Sequence, residues 1–165
     1  MNLLYYPNEF LDRQVTAVDL ENPSFDPVEL KKQMVDIMLS HSGIGLAANQ
    51  IGLDAQVFVF GDSAANSTIC INPTVLQYTS DTLTDVEGCL SFPNVYVKIA
   101  RPKEILAKFY NEHLEECVVK IDGYSAKCYL HEWDHLQGIT FKDRVSKLKW
   151  NMAAKKAQKL EKLNA

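Results

Sequence analysis

The sequence predicts an α+β fold, on three observations. Residues 26–42, "DPVELKKQMVDIMLSHS", carry a helix start signal followed by an apolar stripe at helical spacing. Runs at 56–60, 67–71, 104–110 and 114–121 have strand character, and only a short turn at Asn111–His113 separates the last two. Residues 122–138, "DGYSAKCYLHEWDHLQG", read as a second helix, so helices and antiparallel pairs are segregated rather than alternating.

Each element has a local reason. Asp26 is placed to cap the first helix, Pro27 suits its first position, and Glu29 stands where a capping-box acid belongs. Val28, Leu30, Met34, Ile37 and Met38 make the stripe that should face the core, and Gly43 is a stop signal. "GIGLAANQIG" (43–52) sets small residues between apolar ones. "QVFVF" and "STICI" are apolar enough for buried strands. Asp122 is a candidate cap for the second helix and Gly138 its end, and a third helix is expected from about Lys147 to Leu163. With no repeat, low-complexity tract or linker, a single domain over residues 1–165 is expected.

Composition narrows the function classes. Apolar residues make up 47% and charged residues 23% of the 165, as in an ordinary globular chain. The net charge of −4 is uneven: residues 142–165 hold eight Lys or Arg against Asp143 and Glu161, so residues 1–141 carry −10 by difference. An acidic body excludes a general nucleic-acid binder, while the basic tail is suited to an anionic partner. "MNLLYYPNEF" has neither the basic region nor the apolar run of a secretory signal, and no stretch approaches the ~18 apolar residues of a membrane span. Cys70, Cys89, Cys117 and Cys128 form no CxxC pair, which points to free thiols in a reducing cytoplasm.

The chemistry-bearing stretch is "HEWDH" (131–135). Residues four apart on a helix stack about 6 Å apart, so His131 and His135 can close on one ion with nitrogen–metal bonds near ~2.1 Å, and Glu132 lies between them as a candidate base. A third ligand is required. The HExxHxxGxxH pattern has its Gly138, but Phe141 stands where the third His would be. A downstream glutamate ligand finds only Glu161, within the Lys-rich tail. Cys128 and His135 are seven residues apart, about 10 Å along the axis, too far to share an ion, so Cys128 is expected to pack in the core. Cys70 and Cys117 fall in strand-like runs. Cys89 sits in "EGCLSFP" between Gly88 and Pro93, breakers that favour an irregular segment able to approach a helix. One thiolate and two imidazoles leave an open position for water.

"GIGLAANQIG" (43–52), "EGCLS" (87–91) and "HEWDH" (131–135) together resemble the three signature motifs of peptide deformylases, and "YYPNEFLDRQV" and Arg101–Pro102 extend the resemblance over nearly the whole chain. The resemblance implies antiparallel sheets around a central helix bearing both histidines. It implies Cys89, His131 and His135 as metal ligands, Glu132 as acid/base, and Gln50 with the Leu90 backbone N–H as oxyanion donors. Gly43 and Gly45 would let the peptide main chain approach, Ile44 would border the methionine pocket, and Glu87 and Gly88 would also bind substrate. Tyr124, Lys127 and Cys128 would lie by the methionine pocket, and Arg101 would brace the Cys89 segment through Glu87. It further implies removal of the formyl group from the N-terminal formylmethionine of nascent polypeptides, and one divalent ion, natively Fe²⁺, with Zn²⁺, Ni²⁺ or Co²⁺ in purified protein. The setting would be a bacterial cytosol, or an infected cell for a virus-encoded copy, and the state monomeric.

Two rival readings are a metalloendopeptidase of HExxH type, which lacks its third ligand here, and a non-catalytic metal module, whose fourth ligand would have to come from His41 or His113. Asp134 is expected to cap, pair or orient. Tyr96 stands where many bacterial members have Arg. Lys127 is expected to lay its stem along the pocket and leave its charge in water. The lysines of the last helix either dock on ribosomal RNA phosphates or form a solvated face over an apolar seam of Leu148, Met152 and Leu160.

Overall fold

The computed structural model describes residues 1–164; residue 165, the last of the expected domain, lies outside them. In chain order it runs α1 (Pro27–Ser40), β1 (Gly45–Ala47), β2 (Val57–Phe60), β3 (Thr68–Tyr78), β4 (Thr82–Cys89), β5 (Phe92–Pro102), β6 (Glu104–Tyr110), β7 (Glu116–Asp122), α2 (Gly123–Leu136) and α3 (Lys147–Asn164). Five antiparallel strands form one sheet in the order β1-β2-β3-β6-β7, and β4-β5 is a separate two-stranded hairpin inserted between β3 and β6.

Both faces of the sheet are covered at β2 and the first part of β3, which is why "QVFVF" and "STICI" are almost wholly apolar, whereas β7 is largely exposed. Alternation sorts their side chains. Val57, Val59, Ile69 and Ile71 face α1 and pack with Leu30, Met34, Val35 and Met38. Phe58 and Cys70 face the other way, against Ala126, Tyr129 and Leu130 of α2. The hairpin has its own small core, where Phe92, Val95, Val97 and Ile99 meet Phe141 and Ala157, with Trp150 and Ala153 of α3 alongside.

Several sequence expectations need correction. Asp26 caps α1 as expected, accepting from the backbone N–H of Val28 (2.9 Å) and Glu29 (3.1 Å), but Glu29 turns outward and accepts from Gln33 instead. Val28 is exposed; Val35 takes its place in the stripe. Asp122 precedes α2 without a side-chain capping bond. The stretch 87–93 is not irregular. It is the end of β4, a tight turn and the start of β5, with a register shift after Gly88 where the paired residues change from Gly88↔Tyr96 to Cys89↔Phe92. Leu148 and Met152 do not form a buried seam. They are 71% and 65% exposed, and α3 instead seats its smaller Ala153 and Ala157, with Trp150, against β5. Phe141 is buried and packs its ring against Phe92 (5.1 Å between centroids) and His131 (5.9 Å).

Phe58 is fully buried and meets Tyr129 edge to face at 4.9 Å, joining sheet to helix. Phe58→Ala is expected to cost about 3–5 kcal/mol. Urea unfolding should show it as a lower midpoint at unchanged slope.

Candidate active site

The central feature is a ladder between β4 and α2. Asp85 Oδ2 meets Lys127 Nζ at 2.7 Å, Glu87 Oε2 meets His131 Nδ1 at 2.9 Å, and Cys89 Sγ lies 3.3 Å from His135 Nε2. Steps of two along the strand pair with steps of four along the helix. Two strand residues advance about 6.7 Å and four helical residues about 6 Å, so three rungs stay in register.

Cys89, His131 and His135 offer ligand atoms that all lie within 4.8 Å of one another. Glu87 accepts from His131 Nδ1, which fixes the tautomer and leaves Nε2 for the centre. Arg101 in turn grips Glu87 through Nε–Oε1 (2.6 Å) and Nη2–Oε2 (3.0 Å), and reaches Asp134 Oδ2 with Nη1 (2.8 Å). Arg144 holds Asp134 from the outside through Nε at 2.9 Å and through Nη2. Asp134 therefore pairs. Both Glu87 oxygens are taken by Arg101 and His131, so that carboxylate braces the histidine rather than reaching into the cleft.

Environment separates the two glutamates. Burial would raise Glu87, but the bonds from His131 and Arg101 outweigh it and hold its carboxyl at about 2. Glu132 lacks such a partner; burial pushes its carboxyl up to about 7 against the pull of His131. Its Oε2 is buried without a protein partner. Gly45 makes room for it. A Cβ there would sit 2.8 Å from Glu132 Cδ and closer still to Oε1, so β1 and α2 can approach this tightly only with glycine. Burial also drives His135 well below the usual histidine range, keeping the imidazole neutral.

Gln50 is oriented by its own backbone neighbourhood. Its Oε1 accepts from Ala47 N–H (2.8 Å), which turns Nε2 toward Ser91 Oγ (3.1 Å) and Cys89 Sγ (3.5 Å). Asn49 Nδ2 donates to the His135 carbonyl at 2.6 Å. Cys128 is buried, donates to the Ile44 carbonyl (3.4 Å), and burial keeps its thiol protonated. These groups border a cleft of about 550 Å³. It is lined by Gln50, Cys89, Leu90, His131 and Glu132, by Gly43, Ile44 and Gly45, and by Glu87 and Gly88. Tyr124, Lys127 and Cys128 belong to the same lining. His135 and Arg101 lie behind this lining, both buried.

The comparisons with known proteins decide the family. The sequence profile described as polypeptide deformylase matches residues 1–151. The chain belongs to that family. A peptide deformylase of Aquifex aeolicus is 36% identical over 164 residues, 96% of this chain and 95% of the relative. One from Prochlorococcus marinus (strain MIT 9312) is 43% identical over 122 residues, 72% of this chain, and the match spans only 61% of that longer relative. Among solved structures, a Legionella pneumophila peptide deformylase superposes with a TM-score of 0.88 at 30% identity, covering 99% of this chain and 96% of that one. A Synechococcus elongatus peptide deformylase in complex with actinonin gives 0.84 at 34% identity, covering 96% and 86%. The fold is therefore the α+β fold of peptide deformylases.

Peptide deformylases are metalloenzymes, and the donor set fits that property. A thiol and two imidazoles suit a divalent transition ion, and one of the histidines is already oriented by a carboxylate. Among the described residues, neither His41 nor His113 joins the cluster, so no fourth protein ligand closes it.

Lys127 departs from expectation. Its charge is not in water: Lys127 is 6% exposed and bonded to Asp85 and to the Val86 carbonyl (3.1 Å). Asp85, Ser91, Asn49 and Arg144 were not singled out from sequence. For Asp85 the signal was present, since reading "DVEGC" as a strand puts Asp85, Glu87 and Cys89 on one face.

Arg101 is buried between Glu87 and Asp134, so Arg101→Ala takes a cationic partner from each of two buried carboxylates, leaving Glu87 only His131 and Asp134 only Arg144. A loss of about 3–5 kcal/mol in urea unfolding is expected. Arg101→Lys should recover only part of it, because an ammonium cannot reproduce the fork across both acids. A loss below about 1 kcal/mol, as for a surface pair, would contradict the reading.

Proposed function

We propose that this chain removes the N-formyl group from the N-terminal formylmethionine of nascent polypeptides and releases formate. The cluster of Cys89, His131 and His135, with Glu132 and the Gln50 amide beside it at one cleft, carries the reading. Cys89, His131 and His135 are the metal ligands, and ferrous iron is the native ion, with zinc, nickel or cobalt able to replace it. When bound, a divalent cation polarises a carbonyl and brings the pKa of a coordinated water from about 15.7 toward 7.

The protein's own groups do the rest. Glu132, buried beside the ligands, takes a proton from the attacking water as its oxygen adds to the formyl carbon. The Gln50 Nε2 amide and the Leu90 backbone N–H donate to the carbonyl oxygen as it gains charge. The carbon–nitrogen bond then breaks, Glu132 returns the proton to the leaving nitrogen, and formate and a free amine depart. Gly45 opens β1, Glu87 and Gly88 end β4, and all three line the cleft with Gly43 and Ile44, which suits an extended peptide lying along strand backbone. An endopeptidase reading gains no support, since no further His or Glu joins the ligand cluster among the described residues.

Glu132→Gln should abolish formate release from formyl-Met-Ala-Ser while metal content by elemental analysis stays at the wild-type level. Gln50→Ala should lower kcat about 10²- to 10³-fold, the usual cost of one oxyanion donor. Retained turnover in Glu132→Gln would overturn the assignment.

We assign α3 to ribosome docking in the cytoplasm by a monomer. It carries exposed Lys147, Lys149, Lys155, Lys156, Lys159 and Lys162, with exposed Leu148 and Met152 in its first half. Among the described residues no helix is long and apolar enough to cross a membrane. Replacing these six lysines with glutamine should weaken co-sedimentation with ribosomes and flatten its salt dependence; unchanged binding would rule the surface out.

A further inference from the structure

The outermost rung of the ladder, Asp85–Lys127, has no part in the chemistry above, yet it is built with care. Lysine is almost never buried unless paired. Lys127 places Nζ 2.7 Å from Asp85 Oδ2, 3.1 Å from the Val86 carbonyl and 4.5 Å above the Tyr124 ring. An ammonium has three N–H groups; one goes to the carboxylate and one to the carbonyl, and the ring faces the remaining side. No donor is left for a ligand. With its ammonium so engaged, Lys127 is still part of the cleft wall, together with Cys128 and Ile44.

That wall adjoins the reacting centre. Lys127 precedes His131, and Cys128 precedes Glu132, by one helical turn on the same faces of α2. In a formyl peptide, only the amide nitrogen and the Cα separate the formyl carbon from the first side chain, which therefore falls within reach of this wall. Asp85 is held from the solvent side, with its side chain 47% exposed against 7% for that of Lys127. The anion can be removed without opening the core, and a buried cation then remains.

We propose that the Asp85–Lys127 pair is a specificity-determining clasp on the first side chain of the substrate. Closed, it presents an apolar wall that takes methionine. Opened by loss of Asp85, it offers an ammonium that takes an acidic side chain instead. The proposal rests on the formyl-peptide reading above.

The test compares wild type, Asp85→Ala, Asp85→Asn and the Asp85→Ala/Lys127→Met double variant on formyl-Met-Ala-Ser and formyl-Glu-Ala-Ser, with kcat and KM measured separately. Wild type should favour methionine by about 100-fold or more in kcat/KM. Both single variants should narrow that ratio at least about tenfold, mainly through KM for the glutamate peptide. The asparagine variant keeps the shape of Asp85 and guards against misfolding. Adding Lys127→Met should restore the wild-type preference. An unchanged ratio in the single variants, or a narrowed ratio that persists in the double variant, would overturn the clasp. Dissociation constants of the products Met-Ala-Ser and Glu-Ala-Ser, from NMR titration, report the same ratio without turnover. If wild type released no formate, the activity reading would fall, and these constants would still decide the clasp.

Discussion

The near-match of two repeat lengths holds this site together. A strand that advances two residues per rung runs beside a helix that advances four, so Asp85, Glu87 and Cys89 meet Lys127, His131 and His135 in turn. The rungs do different things with the same geometry. The first is an ion pair at the cleft, the second orients an imidazole, and the third brings a sulfur to a nitrogen. A one-residue slip of β4 would turn all three side chains away from the helix together.

The ladder survives burial because its charges are compensated in series. Glu87 sits between Arg101 and His131, Arg101 between Glu87 and Asp134, and Asp134 between Arg101 and Arg144. Each buried charge has an opposite neighbour, the condition under which such groups are tolerated away from water. Glu132 is excluded from this chain, and the contrast separates its protonation behaviour from that of Glu87, about 7 against about 2. Two carboxylates 45 residues apart in sequence thus differ by environment alone, one an anion fixed within the ion-pair series and the other buried outside it.

Much of this was legible in the sequence where local rules act alone. The Asp26 cap and the apolar periodicity located α1, and the stretch 122–138 located α2, in which "HEWDH" announced the histidine pair. The apolar runs gave β2, β6 and β7 closely and only the first part of β3, whose outer half, Thr74 to Tyr78, is more polar and more exposed. The hairpin β4–β5 was missed because Gly88, Pro93 and Asn94 are breakers. A bulge after Gly88 and the turn at Leu90–Ser91 absorb them without ending the pairing. The α3 stripe misled for a different reason. Leu148 and Met152 looked like the stripe, but the face that meets β5 is set by Trp150, Ala153 and Ala157, three to four residues apart on another side of the helix. The burial of Lys127 could not be read without Asp85 opposite it, since pairing across the ladder depends on tertiary register.

The most direct test is the metal content of anaerobically purified wild type and Cys89→Ala, measured alongside formate release from formyl-Met-Ala-Ser. The third rung predicts one divalent ion per chain in wild type, and loss of both ion and formate release in a variant that still melts cooperatively. A Cys89→Ala protein that keeps its ion and its turnover would contradict the account.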